Sequence, residues 1–265
     1  KRLFLWKSMR IHPNPDQSID NKLRLMQWVT KESQKTVAVM WNFACHPVIY
    51  HAPNNLSAHF IGDVRNTLRK QLADVPVVFF QGFSGDVRPY NVGKNQSIRG
   101  RILSCLNKSL EFCLFTKTTY EAWIDKINIA VEGCLNQQSV DHGVFALDVA
   151  LCKVSLNEIM VTELDRNIVF HAIHLTDSLV ILGVSAEVVS EYSLQLQRLY
   201  PNKTIIPVGC VGSVFGYWPT KKMLKEGGYE VNGFKKLFSI NVYFKDILES
   251  FFYLSAKIVL RSANK

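Results

Sequence analysis

Apolar and polar positions fall into blocks that read first as paired strands and then as strands interleaved with helices. The runs LRLMQWVT (23–30) and TVAVMWNFACHP (36–47) flank the polar KESQK, which predicts a hairpin. The second run is almost wholly apolar, the pattern of a central strand buried on both faces. It ends at His46, and strand ends are where α/β enzymes keep their sites. After a polar loop, Ser57 is placed to cap a helix running to about Leu72, on which Phe60, Ile61, Val64 and Leu68 recur at helical spacing. VPVVFF (75–80) predicts a short buried strand, followed by the glycine loop QGFSGDVRPYN (81–91). SIRGRILSCLNKSLEFCLF (97–115) predicts an amphipathic helix.

In the second half, WIDKINIAV (123–131), VFALDVAL (144–151) and IVFHAIHLT (168–176) are strand-like runs. SLVILGVSAEV (178–188) reads as a buried strand running into a helix at about 187–199. TIIPVGCVG (204–212) is a further strand, with the loop SVFGYWPT (213–220) after it, and a long amphipathic helix closes the chain near 240–262. Neither repeats nor low-complexity linkers interrupt this order. The expected fold is α/β (α+β), a mixed β-sheet core covered by helices in a single domain.

Composition narrows this little. The chain has 265 residues, enough to bury a sizeable core, with 48% apolar and 20% charged residues, and no apolar run reaches the length of a membrane-spanning helix. The net charge of +9 is scattered, with a mild cluster at Lys221, Lys222, Lys225, Lys235 and Lys236. That is the pattern of a solvated surface, compatible with peripheral contact with an anionic membrane. Nucleic-acid binding would need a basic stripe or a known module, and neither shows. The six cysteines (Cys45, Cys105, Cys113, Cys134, Cys152 and Cys210) form no CxxC pair, which argues against a zinc ribbon or a thioredoxin-like motif. Disulfides and buried thiols both stay open, and with them the compartment. The opening KRLFLWKSMR is too short and polar for a signal peptide, and a chain beginning at Lys1 is expected to be a fragment of a longer one.

Several residues invite chemistry. His46, His51 and His59 cluster in 43–66, but His46 and His51 are five apart and would not share a helix face as paired metal ligands do. His171 and His174 are three apart in a strand pattern, point to opposite faces, and read as structural. Ser84 in GFSGD fails the nucleophile-elbow pattern because Asp86 stands at the second glycine, so the glycines are expected to serve a tight turn and Asp86 a structural or supporting role. Glu187 follows a buried apolar run, where a carboxylate is costly unless bonded or coordinated. A helix first-turn residue and a metal ligand both fit it. Tyr217 and Tyr229 read alone as packed aromatics, while Gly216, Gly227 and Gly228 around them imply a backbone shaped to place something.

Four segments, taken in order, resemble the catalytic domain of the neutral (non-lysosomal) ceramidase family. VAVMWNFACHPVI is similar to that family's strand ending N-F-A-C-H-P. LSAHFIGDVRNTL is similar to its S-A-D-x-P-G helix start, and FFQGFSGDVRPYN to its Q-G-x-x-G-D-V-x-P loop. SLVILGVSAEVVSE with GYWPTKKMLKEGGYEV resembles its P-G-E helix start and its G-Y-x-x-T…Y-E pair. The resemblance implies a zinc amide hydrolase. His46, Glu187 and Tyr217 match zinc ligands, and Tyr229 matches the tyrosine that donates to the developing oxyanion. An imidazole, a carboxylate and a phenolate are reasonable ligands for Zn2+ that leave a position for water. Also implied are a ceramide-like lipid amide as substrate, cleaved to fatty acid and sphingoid amine, and a secreted or membrane-peripheral location.

The chain departs from the pattern at three places. The family's second zinc histidine lies upstream of anything present here, since His12 in RIHPNPD matches a segment after it. The domain 1–265 is therefore expected to be incomplete at its N-terminus and to hold zinc weakly or not at all, through three residues. Arg88 stands where the ceramidases carry serine, and an arginine beside the site would bind a carboxylate or phosphate of the substrate unless it turns to solvent. His59 replaces an aspartate, and Ser185-Ala186 precede Glu187 in place of Pro-Gly. The expected activity is thus a ceramidase-like zinc amidohydrolase. The alternatives are a related metal hydrolase acting on another amide or ester, and a non-catalytic lipid-binding domain.

Overall fold

A computed structural model describes residues 13, 14, 17–49, 56–93, 111–137, 147–237 and 240–261. It is a single mixed α+β domain, as the apolar pattern predicts. Strands β1 (Arg24–Val29) and β2 (Thr36–Phe43) form the antiparallel hairpin, with Arg24 opposite Asn42. The chain then crosses through α1 (His59–Gln71) to β3 (Val77–Gln81), which pairs parallel to β2 and leaves β2 central in the order β1-β2-β3. Ala58, not Ser57, stands at the N-cap of α1, with no side-chain cap bond; Ser57 lies one residue earlier and accepts from the His59 amide (3.0 Å), and Phe60, Val64 and Leu68 are fully buried on one face. Short β4 (Val92–Gly93) and β5 (Glu111–Phe112) pair antiparallel. The described part of the stretch expected as a helix over 97–115 is not helical, since Glu111–Phe112 form a strand, and residues 97–110 lie outside the described residues.

The run WIDKINIAV is not a strand. It lies in α2 (Lys117–Asn136), whose buried Tyr120, Ile124 and Val131 recur at helical spacing and pack with α1 and Trp41 into one cluster. Thr116 and Thr119 form a reciprocal capping box that starts the helix.

The second sheet has the order β11-β9-β8-β6. It begins with β6 (Asp148–Ser155), followed by the short α3 (Leu156–Ile159) and β7 (Met160–Val161). Next come β8 (Asn167–His174) and β9 (Leu179–Val184), antiparallel to one another, and β10 (Glu187–Val188). The following helix, α4 (Glu191–Leu199), starts later than the sequence pattern suggests, which leaves Glu187 on a strand rather than in a helix first turn. Strand β11 (Thr204–Val208) is parallel to β9, and β12 (Tyr217–Trp218) is parallel to β10. Then come α5 (Lys221–Glu226), a π-helical turn (Tyr229–Gly233), α6 (Phe234–Leu237), β13 (Tyr243–Phe244) and α7 (Leu248–Leu260). The closing helix is shorter than the predicted 240–262 because β13 takes up part of that stretch to pair with β7.

Helix α7 lays Phe252 against Phe83, Phe170, Tyr192 and Trp218, the centre of the larger core. His174 is buried with Nε2 bonded to the Val259 carbonyl (2.8 Å), and His171 faces the other side of the sheet, so both fit the structural reading. A third cluster of Met40, Ile206 and Val208 joins the two sheets. Across this seam Asn42 Nδ2 donates to the carbonyls of Phe80 (3.0 Å) and Pro207 (2.9 Å). No helix among the described residues is long and apolar enough to cross a membrane.

Candidate active site

The C-terminal ends of β2, β3, β9 and β11 meet on one side of the molecule, the edge at which open α/β sheets bind ligands. Backbone hydrogen bonds tie these ends together: Gly82 to Phe43 (3.0 Å), Gly209 to Gln81 (2.9 Å), Cys210 to Ala186 (3.0 Å) and Gly85 to Val188 (2.8 Å). The glycines of the 81–91 loop are required mainly for this closeness. A Cβ on Gly85 would fall 2.6 Å from the Glu187 carbonyl oxygen, and one on Gly82 would fall 2.8 Å from the Ala44 Cα. The tight-turn reading is therefore only part of their role.

His46 lies just beyond β2. The Val87 carbonyl accepts from the His46 amide (3.0 Å) and from Nδ1 (3.1 Å), and Nε2 meets Glu187 Oε2 at 3.0 Å. Because a carbonyl only accepts, Nδ1 carries a proton and Nε2 is the nitrogen turned to the carboxylate. Burial opposes the imidazolium, but the hydrogen bond and charge of Glu187, with the Val87 and Ser84 backbone, outweigh it and raise the His46 pKa. Glu187 is fixed by its strand, its amide donating to the Gly216 carbonyl (2.7 Å), and the parallel register sets Tyr217 beside it. Burial first, and the Glu187 carboxylate second, push the Tyr217 phenol far above its ordinary range. Tyr229 stacks edge-on against Tyr217 with ring centroids 5.7 Å apart. Gly227 (φ 75°) and Gly228 (φ 123°) adopt backbone that side chains rarely allow, and they turn the chain from α5 into the π-helical turn that presents Tyr229.

The structure thus gathers His46, Glu187, Tyr217 and Tyr229, which are up to 183 positions apart in sequence (46 to 229). His59 lies on α1, and His51 and His12 lie outside the described residues. Asp86 plays the supporting part: its Oδ1 accepts the Ser190 amide (2.7 Å), and burial raises its pKa against that bond. Ser84 is buried and accepts from Gln81 Nε2 (2.7 Å), a structural role. Glu230 was not singled out by sequence reasoning. Burial raises its pKa, the charges of Asp86 and Glu187 add to this, and His46 opposes it, so it stands within electrostatic reach of the site. Its place directly after Tyr229 in GGYE was the available signal.

A neighbouring cleft of about 290 Å³ opens beside this cluster. Val87 and Glu230 line it, together with Arg88, Phe112, Glu191 and Lys222, whereas His46, Glu187, Tyr217 and Tyr229 do not. The Arg88 guanidinium lies over the Phe112 ring at 4.6 Å.

The donor set suits a metal ion in part. His46 Nδ1 bonded to a backbone carbonyl is the usual outer support of a metal-binding histidine and leaves Nε2 to bind. Among the described residues, no group of three His, Cys, Asp or Glu side chains converges, so Tyr217 would have to be the third ligand.

No protein-family model and no curated protein matches the chain. Solved structures do match. The neutral ceramidase from Pseudomonas aeruginosa aligns with a TM-score of 0.62 at 12% identity, over 93% of this chain and 48% of that one. A structure described as ceramidase complexed with C2 aligns with a TM-score of 0.59 at 10% identity, over 95% and 51%. The chain therefore shares the fold of neutral ceramidase structures and spans about half the length of the structures it matches.

Proposed function

We propose that this chain is the core of a ceramidase-like amide hydrolase that uses zinc and acts on an N-acyl lipid. The observation that supports it most is the His46–Glu187 contact at 3.0 Å, with Tyr217 in register beside Glu187, at the strand ends of a neutral ceramidase fold. His46 Nε2, Glu187 and Tyr217 would hold Zn2+, which when bound supplies Lewis acidity to an amide carbonyl and to the attacking water. Val87 keeps His46 in one tautomer, and strand pairing keeps Glu187 and Tyr217 in place. Tyr229 donates its phenolic proton as a hydrogen bond to the carbonyl oxygen as charge gathers there. Water adds to the acyl carbon, the C–N bond breaks, and the leaving nitrogen takes a proton, giving fatty acid and amine.

The test is turnover of a fluorogenic ceramide by the full-length protein. Chelation and Glu187→Ala are expected to reduce hydrolysis to background, and Tyr229→Phe to lower kcat by about 100- to 1,000-fold. Turnover that survives both chelation and Glu187→Ala rejects the reading. Lipid binding without any turnover would favour a non-catalytic lipid-binding domain.

A further inference from the structure

Arg88 follows directly on Val87, whose carbonyl clasps His46. The Phe112 ring covers one face of its guanidinium, and the residue lines the cleft. Among the described residues the group makes no hydrogen bond or ion pair, and Nε is buried with no acceptor. Buried donors are ordinarily satisfied, and a guanidinium offers a planar fork that two oxygens of one anion match.

The carboxylates of the same cleft do not satisfy Arg88. Asp86 is taken by the Ser190 amide, and Glu191 accepts from Gln17 Nε2 (3.2 Å). Glu226 and Glu230 line the cleft without pairing to it. No acceptor among the described residues serves Arg88, and a bound anion would supply one. The cleft itself limits what that is. Carboxylates outnumber its two cations, Arg88 and Lys222, so a polyanion is disfavoured. Its volume of about 290 Å³ is at the small end for a ligand pocket.

We infer that Arg88 selects a ligand with a single acidic group, a carboxylate or a phosphate, on an otherwise neutral acyl compound. Combined with the hydrolase reading, on which this part rests, the preferred substrate class is an N-acyl compound acidic on its amine side, bound more tightly than a neutral ceramide that the same site still turns over.

The experiment is calorimetric titration of the full-length protein with EDTA present, so that binding is read without turnover and the result is independent of whether the protein hydrolyses amides. N-hexanoylglycine is compared with its methyl ester, and N-hexanoylphosphoethanolamine with N-hexanoylethanolamine. In at least one pair the acidic member should bind about tenfold tighter, a preference that Arg88→Gln removes and Arg88→Lys partly restores. The pair that shows this identifies the group as carboxylate or phosphate. Equal binding within both pairs by the unaltered protein, which needs no variant to fold, overturns the inference. So does a preference that persists in Arg88→Gln, which would pass the role to Lys222.

Discussion

Asp86 is the residue whose environment most clearly sets a measurable property. Burial raises its folded-state pKa, although the Ser190 amide bonds the carboxylate. A carboxyl raised above its unfolded value of about 3.9 contributes most stability when protonated, and that contribution is lost as pH rises through the folded value. Asn at this position keeps an oxygen for Ser190 and does not titrate. Urea denaturation should therefore show Asp86→Asn gaining on wild type as pH is raised from about 4 to 7, and a constant difference would refute this. At this scale the sequence was informative where a residue stood out against its neighbours. Glu187 drew attention as a carboxylate after a buried apolar run, and the glycines of GFSGD and GGYE as backbone of special shape. What the residues could not reveal was their partner. That Gly85 is demanded by the Glu187 carbonyl, 2.6 Å from its would-be Cβ, depends on an approach between segments a hundred residues apart.

Among the elements, the hairpin, α1, β8, β9 and β11 follow the apolar pattern closely. Helix α2 does not, and the reason is instructive. Its isoleucines at 124, 127 and 129 are β-branched and favour strands as isolated residues. Yet Tyr120, Trp123, Ile124, Ile127, Val131 and Leu135 share one stripe that packs in the cluster with Trp41, and packing outweighs propensity. The TKTT start carried the capping signal in plain view. Thr116→Ala removes the side chain that accepts from Thr119 and is expected to cost about 1 kcal/mol in chemical denaturation, with Thr116→Ser close to wild type. Strand β10 was harder to see. Two residues long, it cannot show a period, and only its parallel pairing with β12 marks it as a strand.

For the whole molecule, the decisive feature is how two sheets, each with its own core cluster, meet along one seam. Asn42 is fully buried there, accepts from Arg24 (3.3 Å), and donates to carbonyls of β3 and β11. Asn42→Ala would leave both carbonyls without that donor, so a loss of about 1–3 kcal/mol per stranded group is expected in urea denaturation, alongside any loss of activity. A change below about 0.5 kcal/mol would show that the seam does not depend on this side chain. The sequence by itself determined the fold class, the central place of β2 and most of the strands, because periodicity is a local property, whereas His46, Tyr217 and Tyr229 were picked out only by the resemblance of four ordered segments to the neutral ceramidases. Tertiary structure alone decided that His46 meets Glu187, that Tyr229 stacks on Tyr217, and that Arg88 lies on Phe112 beside a cleft with no hydrogen-bond acceptor for it among the described residues. Those contacts join segments as much as 141 positions apart (46 to 187), and nothing in a local pattern fixes the register and approach of strands that pair only after the chain has closed on itself.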